Sequence, residues 1–307
     1  MGDVRENFRV VYVAGYGRSG STLVDAILGN HPDVFGSGEL RSLFMRYPEE
    51  GVNCSCGIPL GECSFWHEVM DRIFSAIPDL DCSQAATVTR NNESMTGDRQ
   101  NRKKYVALWS ETFRAISAVS GNSVIVDSSK SDRVTRYRLQ HFADEPDFGL
   151  KVIHLVRDPR AVMYSALRGN NRRIESGAQS KSAKARDFGG MLRVLLSWKM
   201  ANGYVEDLNG KKQTLSIDRF RYEDLARSPE ETFATLGDFL EIDLTEILSR
   251  IREEKEFDTG HGITGNRMRR KGPIKIKYDD EWQQKLPWRG RLYSQLVRGE
   301  MARYGYA

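Results

Sequence analysis

The chain has 307 residues, 39% hydrophobic and 29% charged, and its 46 basic and 42 acidic side chains leave a formal charge of +4. This length can bury a large core, and the composition excludes a disordered or fibrous chain. The charge is too mild to argue for nucleic acid. No apolar stretch approaches a membrane span, and Met1-Gly2-Asp3-Val4-Arg5-Glu6 lacks the basic-then-apolar design of a leader. The expectation is a cytoplasmic protein without stable membrane insertion.

The apolar run Val10-Val11-Tyr12-Val13-Ala14 predicts a first strand over 9–14, which runs directly into Gly15-Tyr16-Gly17-Arg18-Ser19-Gly20-Ser21-Thr22. A helix over about 20–30 follows, with Leu23, Ile27 and Leu28 on one face. Strand, glycine loop and helix form a phosphate cradle, in which backbone N–H groups and a positive helix end meet an anion. A nucleotide-hydrolysing loop places Lys right after its last Gly, where the ammonium reaches the β- and γ-phosphates. Here Ser21 holds that position and the cation is Arg18, inside the loop. The loop therefore suits a shorter phosphate than a triphosphate chain.

Asn30-His31-Pro32-Asp33 stops the helix, since proline cannot continue it. Val34-Phe35 is a short strand leading to Gly36-Ser37-Gly38-Glu39. Residues 45–105 break the rhythm and read as a mostly helical, cysteine-containing insertion over the core, a place for acceptor contacts. Cys54, Cys56, Cys63 and His67 offer three sulfurs and an imidazole. Their spacing is no standard zinc signature, so the cysteines are read as reduced or buried thiols, with zinc or a disulfide as alternatives.

A buried strand over 123–127 ends in Asp127-Ser128-Ser129-Lys130, and a helix is predicted over 132–142. The strand 151–156 ends in Arg157-Asp158-Pro159, where Pro159 suits the first turn of the next helix. Residues 168–187 are polar and glycine-containing and read as a mobile loop. A helix over about 187–208, a strand over 214–218 and a helix from Pro229 complete the alternation. The expected fold is α/β, a P-loop-type three-layer arrangement with a parallel sheet between helices, in one domain over 1–307. Ligands bind such sheets at the carboxyl ends of the strands. Arg18, Glu39, Lys130 and Arg157 all follow strand ends.

Four separated motifs together resemble the sulfotransferases that use the donor PAPS (3′-phosphoadenosine 5′-phosphosulfate). They are Gly17-Arg18-Ser19-Gly20-Ser21-Thr22; Val156-Arg157-Asp158-Pro159 with Ser165 eight residues after the Arg; Arg221-Tyr222-Glu223-Asp224-Leu225 with Pro229; and Gly265-Asn266-Arg267-Met268-Arg269-Arg270-Lys271-Gly272 with Trp282. The match is closer to the carbohydrate and tyrosyl-protein branch than to the small-phenol branch.

The resemblance implies that Arg18, with Ser19, Gly20, Ser21 and Thr22, holds the 5′-phosphate, where charge builds as sulfate departs. Arg157 and Ser165 would hold the 3′-phosphate, with Tyr222 in the donor site. Asn266, Arg269, Arg270 and Lys271 would close over the 3′-phosphate and adenosine, and His261 would orient that segment. Lys130 would neutralise the transferring sulfate. Glu39 is the candidate base for the acceptor hydroxyl, ahead of His31 and His141. The product would be PAP, no metal is required, and the acceptor is a hydroxyl of a carbohydrate, peptide tyrosine or secondary metabolite.

The alternative is a P-loop NTPase or kinase, since Val124-Ile125-Val126-Asp127 mimics the strand whose Asp holds magnesium. A nucleic-acid partner is not expected, because stacking aromatics do not interleave with the basic C-terminal cluster. Oligomeric state and acceptor identity are left open.

Overall fold

Strand sequences rich in Val, Ile and aromatic residues on both faces ask for burial on both faces, as in parallel sheets covered by helices. The computed structural model describes residues 8–97, 101–175, 188–212, 215–263, 269 and 272–306. Its sheet comprises β1 (Arg9–Ala14), β2 (Val34–Gly36), β3 (Val124–Asp127), β4 (Lys151–Val156) and β5 (Ser216–Arg221). The order is β2-β3-β1-β4-β5 and every pairing is parallel. Tyr12, in the central β1, lies opposite Asp127 on one side and Val152 on the other. This is the expected three-layer α/β fold.

Helix α1 (Ser21–Leu28) follows β1. Between β2 and β3 lie α2 (Leu43–Arg46), α3 (Ser64–Ala76), α4 (Cys82–Glu93) and α5 (Arg102–Ser120). Beyond β3 come α6 (Arg138–Ala143), α7 (Pro159–Glu175) after β4, and α8 (Phe188–Lys211). Then come α9 (Tyr222–Arg227), α10 (Pro229–Leu240) and α11 (Thr245–Arg252). The chain closes with α12 (Trp282–Lys285), α13 (Trp288–Ser294) and α14 (Arg298–Arg303).

The period-2 alternation of β1 sends its side chains into two cores. Val11 and Val13 pack with Leu23, Val24 and Ile27 of α1 and with Phe233 and Leu236 of α10. Val10, Tyr12 and Ala14 face the opposite layer, where Trp66 of α3 and Trp109 and Phe113 of α5 are fully buried. Truncating such a tryptophan to Ala costs about 3–5 kcal/mol. A third cluster joins α7 and α8 to the C-terminal helices through Trp198, Trp282, Tyr293 and Tyr304.

Three element boundaries differ from the sequence reading. The helix expected from Asp132 starts only at Arg138, because the Asp132 carboxylate accepts from Val134 N (2.9 Å) and so holds the backbone in a local turn. The fifth strand begins at Ser216 and runs to Arg221. The loop expected from residue 168 is helical through Glu175. Arg168 there pairs with Asp279 (2.8 Å) and Glu281 (3.3 Å), and Gly169 costs only about 1 kcal/mol within a helix. Residues 176–187 lie outside the described residues. Among the described residues no helix is long and apolar enough to cross a membrane.

Candidate active site

The carboxyl ends of the strands converge on the loop after β1. Its backbone uses left-handed conformations at Gly15 (φ 111°), Arg18 (φ 71°) and Gly20 (φ 96°). A methyl group on Gly20 would lie 2.7 Å from the Tyr222 ring, so glycine is required there by space as well as by φ. No side chain caps α1, and its first turn contains no acid, which leaves a positive helix end for an anion. Ser19 is 1% exposed, and among the described residues its hydroxyl has no hydrogen-bond partner. A buried hydroxyl without a partner is costly unless a ligand completes it. Ser21 and Thr22 are buried beside it.

Lys130 and Glu39 meet next to this loop. Tyr12 Oη donates to the Lys130 carbonyl, and Ser131 N donates to the Gly15 carbonyl (2.9 Å). These bonds hold Lys130 at φ 69°, a strained value for a residue with a side chain. Its stem passes Gly17, where a methyl group would lie 3.7 Å from Lys130 Cδ. The ammonium forms an ion pair with Glu39 Oε1. Glu39 is set by its own backbone: Glu39 N donates to the Ile263 carbonyl (2.9 Å), and Gly38, at φ 77°, bridges Ile263.

Behind Lys130 lies a buried ionic network that the sequence reading did not single out. Arg138 gives two hydrogen bonds to Asp127 Oδ2 (2.8 and 2.7 Å) and pairs with Glu93, with all three side chains fully buried. Burial opposes the Arg138 charge, but Asp127 and Glu93 outweigh it and hold the guanidinium more firmly protonated. Burial pushes the Glu93 carboxyl upward, against the pull of Arg138 and Arg41. Ser129 N donates to the other Asp127 oxygen (3.0 Å), as does its hydroxyl. Asp127, the residue a magnesium-dependent NTPase would need, is thus committed to Arg138 and Ser129.

Arg157, at the end of β4, occupies the far side of the loop. It donates to the Arg18 carbonyl (3.1 Å) and the Asp279 carbonyl (3.2 Å), while among the described residues its buried Nε has no partner. The guanidinium lies 4.0 Å from the centre of the Tyr222 ring, a cation–π contact that fixes its plane. Asp279 adds a carboxylate at 3.5 Å and is a site residue that sequence reasoning missed. Trp198 Nε1 donates to the Arg157 carbonyl (2.9 Å), and Ser165 is buried on α7.

Other expected residues fall elsewhere. Arg269, read as a cation closing over the donor, is 2% exposed and pairs with Asp25 of α1, itself fully buried. Burial pushes Asp25 upward, and Arg269 opposes the shift. Asp25 Oδ2 also accepts from Gly38 N (2.9 Å), so this pair braces the Glu39 turn from beneath. Asn266, Arg270 and Lys271 lie outside the described residues. His31 contacts the Asp243 carbonyl (3.0 Å), and His141 is buried against the Asn92 carbonyl (3.1 Å), so neither histidine stands beside Lys130 as Glu39 does. His67 does not join the cysteines. It pairs with Asp71 one turn along the exposed face of α3 (3.1 Å), and His261 stands by the sulfurs instead.

The sequence matches the sulfotransferase domain family over residues 9–269. A stretch of 180 residues is 27% identical to carbohydrate sulfotransferase 5 of Mus musculus, covering 53% of this chain and 43% of that protein, so the match spans less than half of the relative. Similar solved structures include the sulfotransferase domain from the curacin biosynthetic pathway, at 19% identity and TM-score 0.46 over 95% of this chain and 98% of that one. The sulfotransferase domain of the Synechococcus PCC 7002 olefin synthase is 20% identical, with TM-score 0.48 over 97% and 98%. With the family match spanning most of its length and all five parallel strands, the chain belongs to the sulfotransferase family.

Proposed function

We propose that this protein moves the sulfuryl group of PAPS to an acceptor hydroxyl, with Glu39 as the base. One observation carries the reading. Lys130 lies along the phosphate loop at Gly17 and reaches Glu39, so a cation and a carboxylate stand together where a donor's terminal group would meet an acceptor.

PAPS would supply an activated sulfuryl group on a phosphate leaving group. The unpartnered Ser19 hydroxyl and the uncapped α1 support a 5′-phosphate in the loop, with Arg18 taking the charge that grows on it. The free Nε of Arg157 supports a second phosphate on the other side of the loop, where a forked guanidinium meets a dianion. Lys130, released from Glu39, would face the transferring oxygens. Glu39 would then accept the acceptor proton, and the short reach between the two groups lets one side-chain movement do both. The commitment of Asp127 to Arg138 weighs against the NTPase or kinase alternative.

The acceptor is proposed as a hydroxyl of a carbohydrate, peptide tyrosine or secondary metabolite, with sugars first because of the mouse relative. A hollow of 600 Å³ lined by Arg41, Arg46 and Arg90 together with Glu49, Asp81 and Phe44 would suit a polar acceptor. The test is radiolabelled PAPS with a panel of sugar, phenol and peptide acceptors. Label should reach at least one class with the native chain, at a rate about 10²–10⁴-fold lower with Glu39→Gln. Label reaching no class would contradict the reading.

A further inference from the structure

The cysteines of the segment between β2 and β3 play no part in the chemistry above, yet the fold gathers them. Asn53 bridges Pro59, Cys54 N donates to the Ile58 carbonyl (2.9 Å), and Gly57 N donates back to the Cys54 carbonyl (3.0 Å). This tight hairpin turns at Gly57, where φ is 91°, and presents Cys54 and Cys56 from one loop. Cys63, at the mouth of α3, approaches from the other side, with Cys56 Sγ and Cys63 Sγ 3.8 Å apart.

His261 arrives from nearly two hundred residues downstream. Its Nδ1 lies 3.3 Å from Cys63 Sγ and 3.7 Å from Cys54 Sγ. All four ligand atoms fall within 4.8 Å of one another. The imidazole is held for this role by its surroundings. Phe65 stacks on it (4.9 Å between centres, 14° between planes), and Trp66 Nε1 donates to its carbonyl (2.7 Å). Ser55 gives both its N–H (3.1 Å) and its hydroxyl (2.8 Å) to the next carbonyl, that of Gly262.

We propose that Cys54, Cys56, Cys63 and His261 bind one zinc ion that staples the 52–60 hairpin to the segment leading into Ile263. A tetrahedral site with Zn–S near 2.3 Å and Zn–N near 2.0–2.1 Å places neighbouring ligand atoms about 3.5–3.8 Å apart. The sulfur–sulfur contact and the two sulfur–nitrogen contacts fall at or close to these values, before any ion is added. A disulfide needs sulfurs about 2.0 Å apart, and all three cysteines are free thiols. Three thiolates and an imidazole are soft and borderline donors that select zinc over magnesium or calcium. Four protein ligands close the coordination sphere, so the ion is structural and binds no substrate.

On binding, each thiol gives its proton to solvent and His261 ligates as the neutral imidazole. The consequence reaches the active site, since Ile263 bridges Gly38 and accepts from Glu39 N. The ion would fix the far end of the strap that sets the base.

The test uses the full chain purified under reducing conditions and does not depend on activity. Elemental analysis should find one zinc per chain. The chelated protein titrated with cobalt(II) should develop the thiolate charge-transfer band and the intense visible bands of a tetrahedral centre. His261→Ala and Cys63→Ser should lose the metal, while His67→Ala keeps it. Chelation should lower the unfolding midpoint by more than about 5 °C. Should Cys63→Ser fail to fold, the cobalt spectrum of the native sequence decides alone. Purified protein without metal and without a cobalt spectrum would overturn the proposal, as would a Cys56–Cys63 disulfide in the reduced preparation. Metal loss in His67→Ala with retention in His261→Ala would also overturn it.

Discussion

The Lys130 ammonium is ion-paired with the Glu39 carboxylate, although 91 residues separate them in sequence. The pair exists because β2 and β3 are neighbours, so the turns that follow them end side by side: Ser37 N reaches the Val126 carbonyl and Ser128 N reaches the Gly38 carbonyl. A general base contributes about 10²–10⁴-fold to turnover. Glu39→Gln is therefore expected to lower kcat by about that factor while PAP binding changes less than about twofold. Calorimetry and turnover on one preparation check this. Turnover unchanged in Glu39→Gln removes Glu39 as the base.

Arg157 is expected to discriminate in favour of a donor carrying a 3′-phosphate. A charged hydrogen-bonded contact is worth about 1.5–3 kcal/mol, so Arg157→Ala should weaken PAP by about 10–10²-fold and bring it close to 5′-AMP. Titrating both nucleotides into native and variant chains gives the comparison. A variant that still prefers PAP as strongly as the native chain would assign the 3′-phosphate to other residues.

Gly20→Ala sets a methyl group against Tyr222 at a φ of 96°. Strain of this kind costs about 1–3 kcal/mol, and the loop must shift to relieve it. Reduced stability together with weakened PAP binding is expected, and Tyr222→Ala in the same chain should restore part of the stability but not the binding. Denaturant melts of the single and double variants measure the coupling. Independent, additive effects would show that the Gly20–Tyr222 contact is not the constraint.

Asp25 and Arg269 form a buried pair, and removing one partner strands the other. Arg269→Met should cost about 3–5 kcal/mol of stability, and Asp25→Leu added to it should recover much of the loss. Were Arg269 a donor-binding cation, the variant would keep its stability and lose PAP binding instead.

His154 of β4 sets an acid limit on stability. Asn202 Nδ2 donates to the Trp198 carbonyl, which leaves Oδ1 to accept from His154 Nε2 (3.1 Å). Burial lowers the imidazole from its usual 6.5 to about 4. Because the folded value is depressed, the unfolded chain binds a proton that the folded chain refuses between these values. The stabilisation is complete above about 6.5 and is lost as pH falls toward 4, a total of about 3 kcal/mol. The difference in unfolding free energy between the native chain and His154→Gln should therefore narrow as pH falls through this window. A difference independent of pH would contradict the assignment.

Much of the frame was legible because its signals are local. A loop that needs Gly15 and Gly20 at positive φ, and strands that alternate with helices, are encoded within a few residues. The same holds for Arg18, Glu39, Lys130 and Arg157, since each stands just past a strand and all parallel strands end at one edge. Partnerships across the chain were not legible. Asp25 with Arg269, Arg157 with Asp279, and Arg138 with Asp127 and Glu93 join residues that no spacing rule connects. Cys63 and His261 show the same limit. His67 lay close in sequence and was the nearer candidate, but α3 turns it to solvent while the 259–263 strap brings His261 to the sulfurs.

Isothermal titration of the full chain with PAP, and in parallel with ATP and magnesium, tests the central claim most directly. The two proposed phosphate positions on either side of one loop, with Asp127 held by Arg138, predict saturable PAP binding, weakened by at least about 10-fold in both Arg18→Ala and Arg157→Ala, and much weaker heat from ATP with magnesium. Tight binding of ATP with magnesium and none of PAP would contradict the account.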